Sequence, residues 1–279
     1  MSSSKDVGSS VMPFTVSHPA LILPFVRWFS AYGATPALVI GTMVPDAAYF
    51  IPSPWTERSS HSVQGLVTFC LPVGALAIML YGLVLRQPLV FLLPSPLRHR
   101  LTMGHAVQQT VTGASVAVQA LALLLGAVTH ILWDSLATPG GVVLQTVPWA
   151  RSNLATIGGY QLFVYRLVQH CGTIGGVVAI AWVIRRWCAE HPTIGVPMSS
   201  PTEGHLRLLV WLVILGVAAL VGSYAATQRP LPSGWLQATR YFLHRAVVWG
   251  GRAACVALFT YSAVWWLRQS RVSRTVASS

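Results

Sequence analysis

Asp134 and Asp46 are two of only six acidic residues in a chain of 279. Both lie at the edges of long uncharged apolar runs, and His130 stands one helical turn before Asp134. An ionised carboxylate at membrane depth costs roughly 2.5–3.5 kcal/mol on insertion scales, so such a residue is by default functional and its partner is to be sought. Here the candidate partners are histidines. His130-Ile-Leu-Trp-Asp134 sets an imidazole and a carboxylate at i and i+4, on one helix face and close enough to hold one ion. Helical HxxxH zinc motifs rest on the same spacing. A divalent metal would neutralise the carboxylate and satisfy its lone pairs. The alternative is a hydrogen-bonded His–Asp pair tying two helices together.

Asp46 follows Gly41-Thr-Met-Val-Pro45, and a proline there pre-sets a turn between apolar segments. Its carboxylate reads either as a ligand or as an N-cap for the following residues, since Asp is among the best capping residues. His18, next to Pro19, reads as a ligand or as a polar residue at the start of a membrane segment. His61, in Ser59-Ser60-His61-Ser62, is a ligand or an interfacial residue at a helix start capped by the serines. His170, in Gln169-His170-Cys171, is open in the same way. Together, three histidines, the His–Asp pair and a second Asp could fill one or two sites of the nitrogen–oxygen type preferred by zinc or manganese. No G-x-S-x-G nucleophile elbow occurs. Intramembrane His/Asp chains also mark proton or ion paths, which keeps translocation open.

The elements that must carry these residues are membrane helices. The chain is 54% hydrophobic and 9% charged, with mean hydropathy +0.61, far below the charged content of soluble domains. Uncharged stretches centred on residues 63–85 and 113–133 each exceed the ~20 residues that cross a bilayer as a helix. Residues 171–184, 206–226 and 246–267 complete five candidate spans, the last interrupted only by Arg252. Residues 20–29 and 34–51 carry Arg27, Pro36, Pro45 and Asp46 and read as interfacial or half-inserted, with an additional span as the rival. The expected fold is an all-α polytopic integral membrane protein of about five to seven helical membrane segments. Its expected divisions are a disordered 1–11, a membrane domain 12–190 bearing the polar site, a linker 191–205, and a C-terminal helix pair 206–279 with a basic tail.

Net charge +12 would suggest nucleic acid in a soluble chain, but these basic residues flank apolar spans. Anionic lipid headgroups are the expected partners, and nucleic acid is not. Cys70, Cys171, Cys188 and Cys255 form no CxxC pair and read as packing residues. If the first two long runs are consecutive antiparallel spans, His61, His130, Asp134 and His170 fall at one bilayer face, while His99, His105, Glu190, His191, Glu203 and His205 fall at the other. Arginines concentrate at that second face, which places it in the cytoplasm and the site outside.

The motifs Met12-Pro-Phe-Thr-Val-Ser-His18-Pro, Val39-Ile-Gly41-Thr-Met-Val-Pro45-Asp46-Ala-Ala-Tyr49-Phe, His61-Ser-Val-Gln-Gly65 and Gly126-Ala-Val-Thr-His130-Ile-Leu-Trp-Asp134-Ser resemble the bacterial membrane-protein family catalogued as domain of unknown function 4184. Gln169-His170-Cys-Gly-Thr-Ile-Gly175 is similar to its later motif, so the resemblance covers residues 12–187. It implies a multi-pass protein of the bacterial inner membrane and no particular activity. More distantly, the order His18, Asp46, His61, His130–Asp134 is similar to the ligand order of membrane-bound metal-dependent hydrolases related to zinc-dependent phospholipase C. That likeness implies metal, most simply zinc, on those five residues, with a water of pKa ~7 as nucleophile. It also implies a lipid or membrane-proximal phosphoester substrate, and His170 as a further ligand or proton donor beside Asp134. Two departures stand out: no HxxxE pair follows, and Ala137-Thr138 replaces a threonine–histidine pair. The rival expectation is a non-catalytic transporter or assembly partner whose His/Asp cluster packs helices or relays protons.

Overall fold

The computed structural model describes residues 15–51, 54–103, 113–138, 141–157, 160–191 and 200–277. The expected disordered segment 1–11, His105 and most of the 191–205 linker lie outside the described residues. Among the described residues, five helices are long and apolar enough to cross a membrane: Val63–Leu92, Ser115–Ala137, Val164–Glu190, Thr202–Thr227 and Trp235–Arg271. They contain or overlap the five apolar runs. Most outlast them, because helical hydrogen bonding continues into arginine- and tryptophan-bearing ends suited to the interface.

The segment before the first span is broken into short pieces. A 3-10 stretch Thr15–Phe25 contains Pro19 and Pro24, whose missing N–H groups do not support a continuous α-helical ladder. Helix Val26–Ser30 ends at Gly33, whose φ of 62° lets the amides of Gly33 and Ala34 bond back to the carbonyls of Ser30 and Phe29. Thr35–Gly41, Val44–Asp46 and Ala47–Phe50 follow, the first two opened by Pro36 and Pro45. None is a span. Irregular backbone of this kind is tolerated beside lipid only where protein covers it. Here Ile22, Ala34, Ala37 and Leu38 pack on Ala122 of the second span, while Val44 packs with Phe69, Cys70, Leu123 and Ala127.

Two glycines set how closely this wedge approaches. A Cβ on Gly126 would strike the Leu38 carbonyl and lie 2.9 Å from both the Gly41 Cα and the Thr42 nitrogen. Only backbone meets backbone there. The first span also carries π-helical turns at Leu66–Cys70 and Tyr81–Leu85. Each widens the helix by one residue and shifts which face points inward, the first turning Phe69 and Cys70 into the core. The last two spans cross through small residues, where a Cβ on Gly222 would strike the Ala246 carbonyl and lie 3.2 Å from the Gly250 Cα, a small-residue packing common between membrane helices.

One element lies outside the all-helical expectation. Asn153–Ile157 (β1) and Tyr160–Phe163 (β2) pair as an antiparallel hairpin between the second and third spans. Gly158-Gly159 between two short runs rich in Thr, Ile, Tyr and Phe is a hairpin signature. The fold remains mostly helical.

Candidate metal centre

Three stretches deliver the polar cluster. Asp46 closes the 3-10 turn that Pro45 opens; it occupies the N-cap position of Ala47–Phe50, yet its side chain makes no capping hydrogen bond. Its carboxylate instead faces the histidines. His61 sits between two caps: Thr56 and Ser59 cap Glu57–Ser60 reciprocally, and Ser62 accepts from the Gly65 amide at 2.9 Å to start the first span. The serines thus cap the helix start and leave the imidazole free to turn inward. His130 and Asp134 come from the second span, one turn apart. Trp133 between them packs against the third span, where a Cβ on Gly172 would strike the indole.

Asp46, His61, His130 and Asp134 each offer one donor atom, and the four atoms lie within 4.8 Å of one another. His61 Nε2 and His130 Nε2 are 3.2 Å apart. Asp46 Oδ1 lies 3.5 Å from each of these nitrogens, and Asp134 Oδ2 lies 3.6 Å from His61 and 3.2 Å from His130. Ligand distances of 2.0–2.1 Å around a tetrahedral ion give donor–donor edges of about 3.4 Å. Five of the six edges of that tetrahedron are therefore present.

The other ring nitrogens say how each imidazole is protonated. His130 Nδ1 lies 2.7 Å from the Thr42 carbonyl, and His61 Nδ1 lies 3.0 Å from the Glu57 carbonyl. A carbonyl only accepts, so both Nδ1 atoms donate and both Nε2 atoms face the centre, where each can hold a metal ion or a proton. Two ring nitrogens 3.2 Å apart share a positive charge, either a proton carried by one ring or a metal ion between them. Two carboxylates with two neutral imidazoles carry charge −2, which one divalent cation cancels. His130 and Asp46 are almost fully buried and Asp134 is 8% exposed, so the uncompensated charge would be costly.

His18 stands behind this group. Its Nε2 is 3.1 Å from Asp134 Oδ1, the carboxylate oxygen that faces away from the four donors, and its ring stacks on His130 with centroids 4.1 Å apart. Each contact restrains a member of the cluster. His170 is exposed on the third span and is not one of the four grouped residues. Thr138 ends the second span with its amide donating to the Asp134 carbonyl at 2.9 Å, and the four grouped donors do not include it. The cysteines are free thiols and none belongs to the group. The carbonyls of Thr42 and Glu57 were not legible as site groups, because a backbone acceptor leaves no mark in the residue type.

A match to a family model extends over residues 12–263 and is described as a domain of unknown function, DUF4184. The chain belongs to the DUF4184 family. The match runs past the motifs that end at residue 187 and takes in the fourth span and most of the fifth. No curated protein and no solved structure matches this DUF4184 chain.

Without metal, His61 is a group through which pH acts on the fold. Burial disfavours its charged form, but the Asp134 and Asp46 carboxylates outweigh burial and raise it from 6.5 to about 9. A raised imidazole stabilises the fold fully below its unfolded value near 6.5, and that contribution is lost as pH rises through about 9. The melting temperature of metal-stripped protein should therefore fall between those pH values, and His61→Gln should flatten the decline. A wild-type slope in His61→Gln would remove His61 as its source.

Proposed function

We propose that this chain is a membrane-embedded metalloprotein, and that it hydrolyses a phosphoester or similar bond in a lipid or membrane-proximal substrate. The carrying observation is the near-regular set of 3.2–3.6 Å edges among four inward-facing donors. An imidazole–carboxylate set suits zinc, with manganese as the competitor. A bound divalent ion would supply Lewis acidity and activate a water near neutral pH. The chain's own residues do the rest. Asp46, His61, His130 and Asp134 hold the ion, and His18 fixes the rotation of the Asp134 carboxylate. The side chains of His61 and Asp134 are 15% and 10% exposed, so substrate approaches over that edge. His170, two residues from the Gly172 that supports Trp133, is the candidate proton donor to the leaving group. The order His18, Asp46, His61, His130–Asp134 supports the phospholipase-like reading by analogy alone.

The arginine-rich opposite end supports a bacterial inner-membrane placement with this site outward. There Arg98 and Arg207 share Glu203, and Arg100 donates to the carbonyls of Cys188 and His191. Anionic headgroups suit the remaining basic residues.

One observation favours a second reading. Four protein donors already close a tetrahedron, as in structural zinc sites, which suits a non-catalytic transporter or assembly partner whose centre clamps helices. Protein purified in mild detergent, stripped and reloaded with zinc or manganese, separates the two. The hydrolase reading expects about one metal per chain and metal-dependent release of product from phospholipid in nanodiscs. Bound metal without turnover on any phospholipid class supports the clamp. Absence of metal under metal-replete conditions sinks both metal readings.

A further inference from the structure

The fifth span carries Arg252 in an otherwise apolar stretch, and a guanidinium there is costly unless it is engaged. Its Nη2 and Nε donate to one backbone oxygen, the Tyr49 carbonyl, at 2.8 and 3.2 Å. The guanidinium also lies 4.7 Å over the Trp249 ring. Tyr49 belongs to the single-turn helix Ala47–Phe50, whose C-terminal carbonyls have no partner within so short a helix. Asp46 is the residue that starts that turn. Neighbouring contacts point the same way: a Cβ on Gly251 would lie 3.1 Å from Phe50 Cδ1, and His244 meets Tyr49 edge-on at 6.3 Å.

We infer that Arg252 is a positioning residue for Asp46, through which the C-terminal helix pair sets the geometry of the metal centre. The inference rests on the metal-binding reading above. The Asp46 turn is held from two sides. On one, Thr42 bonds His130 and Gly41 abuts Gly126. On the other, nothing but the fifth span supplies a charged clamp among the described contacts. A fork of two donors on one carbonyl fixes both the position and the tilt of the turn, which a lysine ammonium does less well. The terminal spans, which contribute no ligand, thereby act on the site.

The test uses the full chain in nanodiscs, with zinc affinity read by competition against a chromophoric chelator and ligand geometry read from the visible spectrum of the cobalt-loaded protein. Arg252→Ala should weaken zinc binding about 10- to 100-fold, the usual effect of losing an outer-shell support, and should alter the cobalt spectrum. Arg252→Lys should restore part of both. Arg245→Ala, which removes a contact to the Ala226 carbonyl within the C-terminal pair, should change neither. In an Asp46→Asn background, Arg252→Ala should add no further loss, because it acts through Asp46. If the alanine variant does not fold, Arg252→Gln decides. Folded Arg252→Ala or Arg252→Gln with wild-type affinity and spectrum overturns the positioning role alone. Wild-type protein that binds no zinc or cobalt overturns the metal centre and the positioning role with it.

Discussion

Asp134→Asn should leave the protein folded and unable to retain metal, with apparent affinity down by roughly 100-fold or more, about 2.7 kcal/mol. The amide keeps the shape of the carboxylate and can still accept from His18, so the helix packing survives. What is lost is one full negative charge 3.2 Å from His130 and 3.6 Å from His61, in surroundings where charge is poorly screened. Metal content after dialysis against a chelator of known affinity measures the effect, with thermal unfolding of the metal-free proteins as the folding control. Retention equal to wild type would remove Asp134 from the centre. His18→Ala should show a smaller loss, in the 10- to 100-fold range, because its bond goes to the oxygen that faces away.

The second large effect belongs to a residue with no side chain. Gly126→Ala should destabilise by about 3 kcal/mol, the upper part of the overpacking range, because the new Cβ meets the Leu38 carbonyl, the Gly41 Cα and the Thr42 nitrogen. Backbone atoms in a packed wedge do not yield as a flexible side chain does. The same displacement moves the Thr42 carbonyl away from His130 Nδ1, so metal retention should fall with stability. Gly216→Ala in the fourth span is the control, since its Cβ would meet nothing within 4 Å; helix propensity favours that change slightly. Denaturant or thermal unfolding in detergent compares the two. Equal stability of both variants would show that the Gly41–Gly126 contact is not a close one in the membrane.

How much of this was legible in the sequence depended on whether the signal was local. His130 and Asp134 announced themselves because an i, i+4 pair needs only helical periodicity. His61 followed from the antiparallel arrangement of two apolar runs, which brings the start of one to the end of the next. The choice between cap and ligand for Asp46 was not legible, since both demand the same residue at the same turn. Three-dimensional placement shows the side chain making no capping bond, and the carboxylate turns to His61 and His130 at 3.5 Å. His18 was grouped with the ligands, and its contact with Asp134 Oδ1 sets it behind the four, a distinction no spacing carries. The Asn153–Phe163 hairpin did have a local signal in Gly158-Gly159, but an eleven-residue feature is too short to register against the length of a membrane span. Arg252 looked like a blemish in a span, because its partner, Tyr49, is 203 positions away in the chain.

The ligand positions have a further consequence for how the protein is made. Asp46, His61, His130 and Asp134 are all translated before the third span begins at Val164, whereas Arg252 and its hold on Tyr49 come last. During synthesis the nascent chain thus holds every donor of the centre well before it holds the clamp. On the proposed metal reading, a ribosome-bound intermediate ending after the second span would meet a cation with the Asp46 turn still unbraced, and binding would tighten only when translation reaches the final helix.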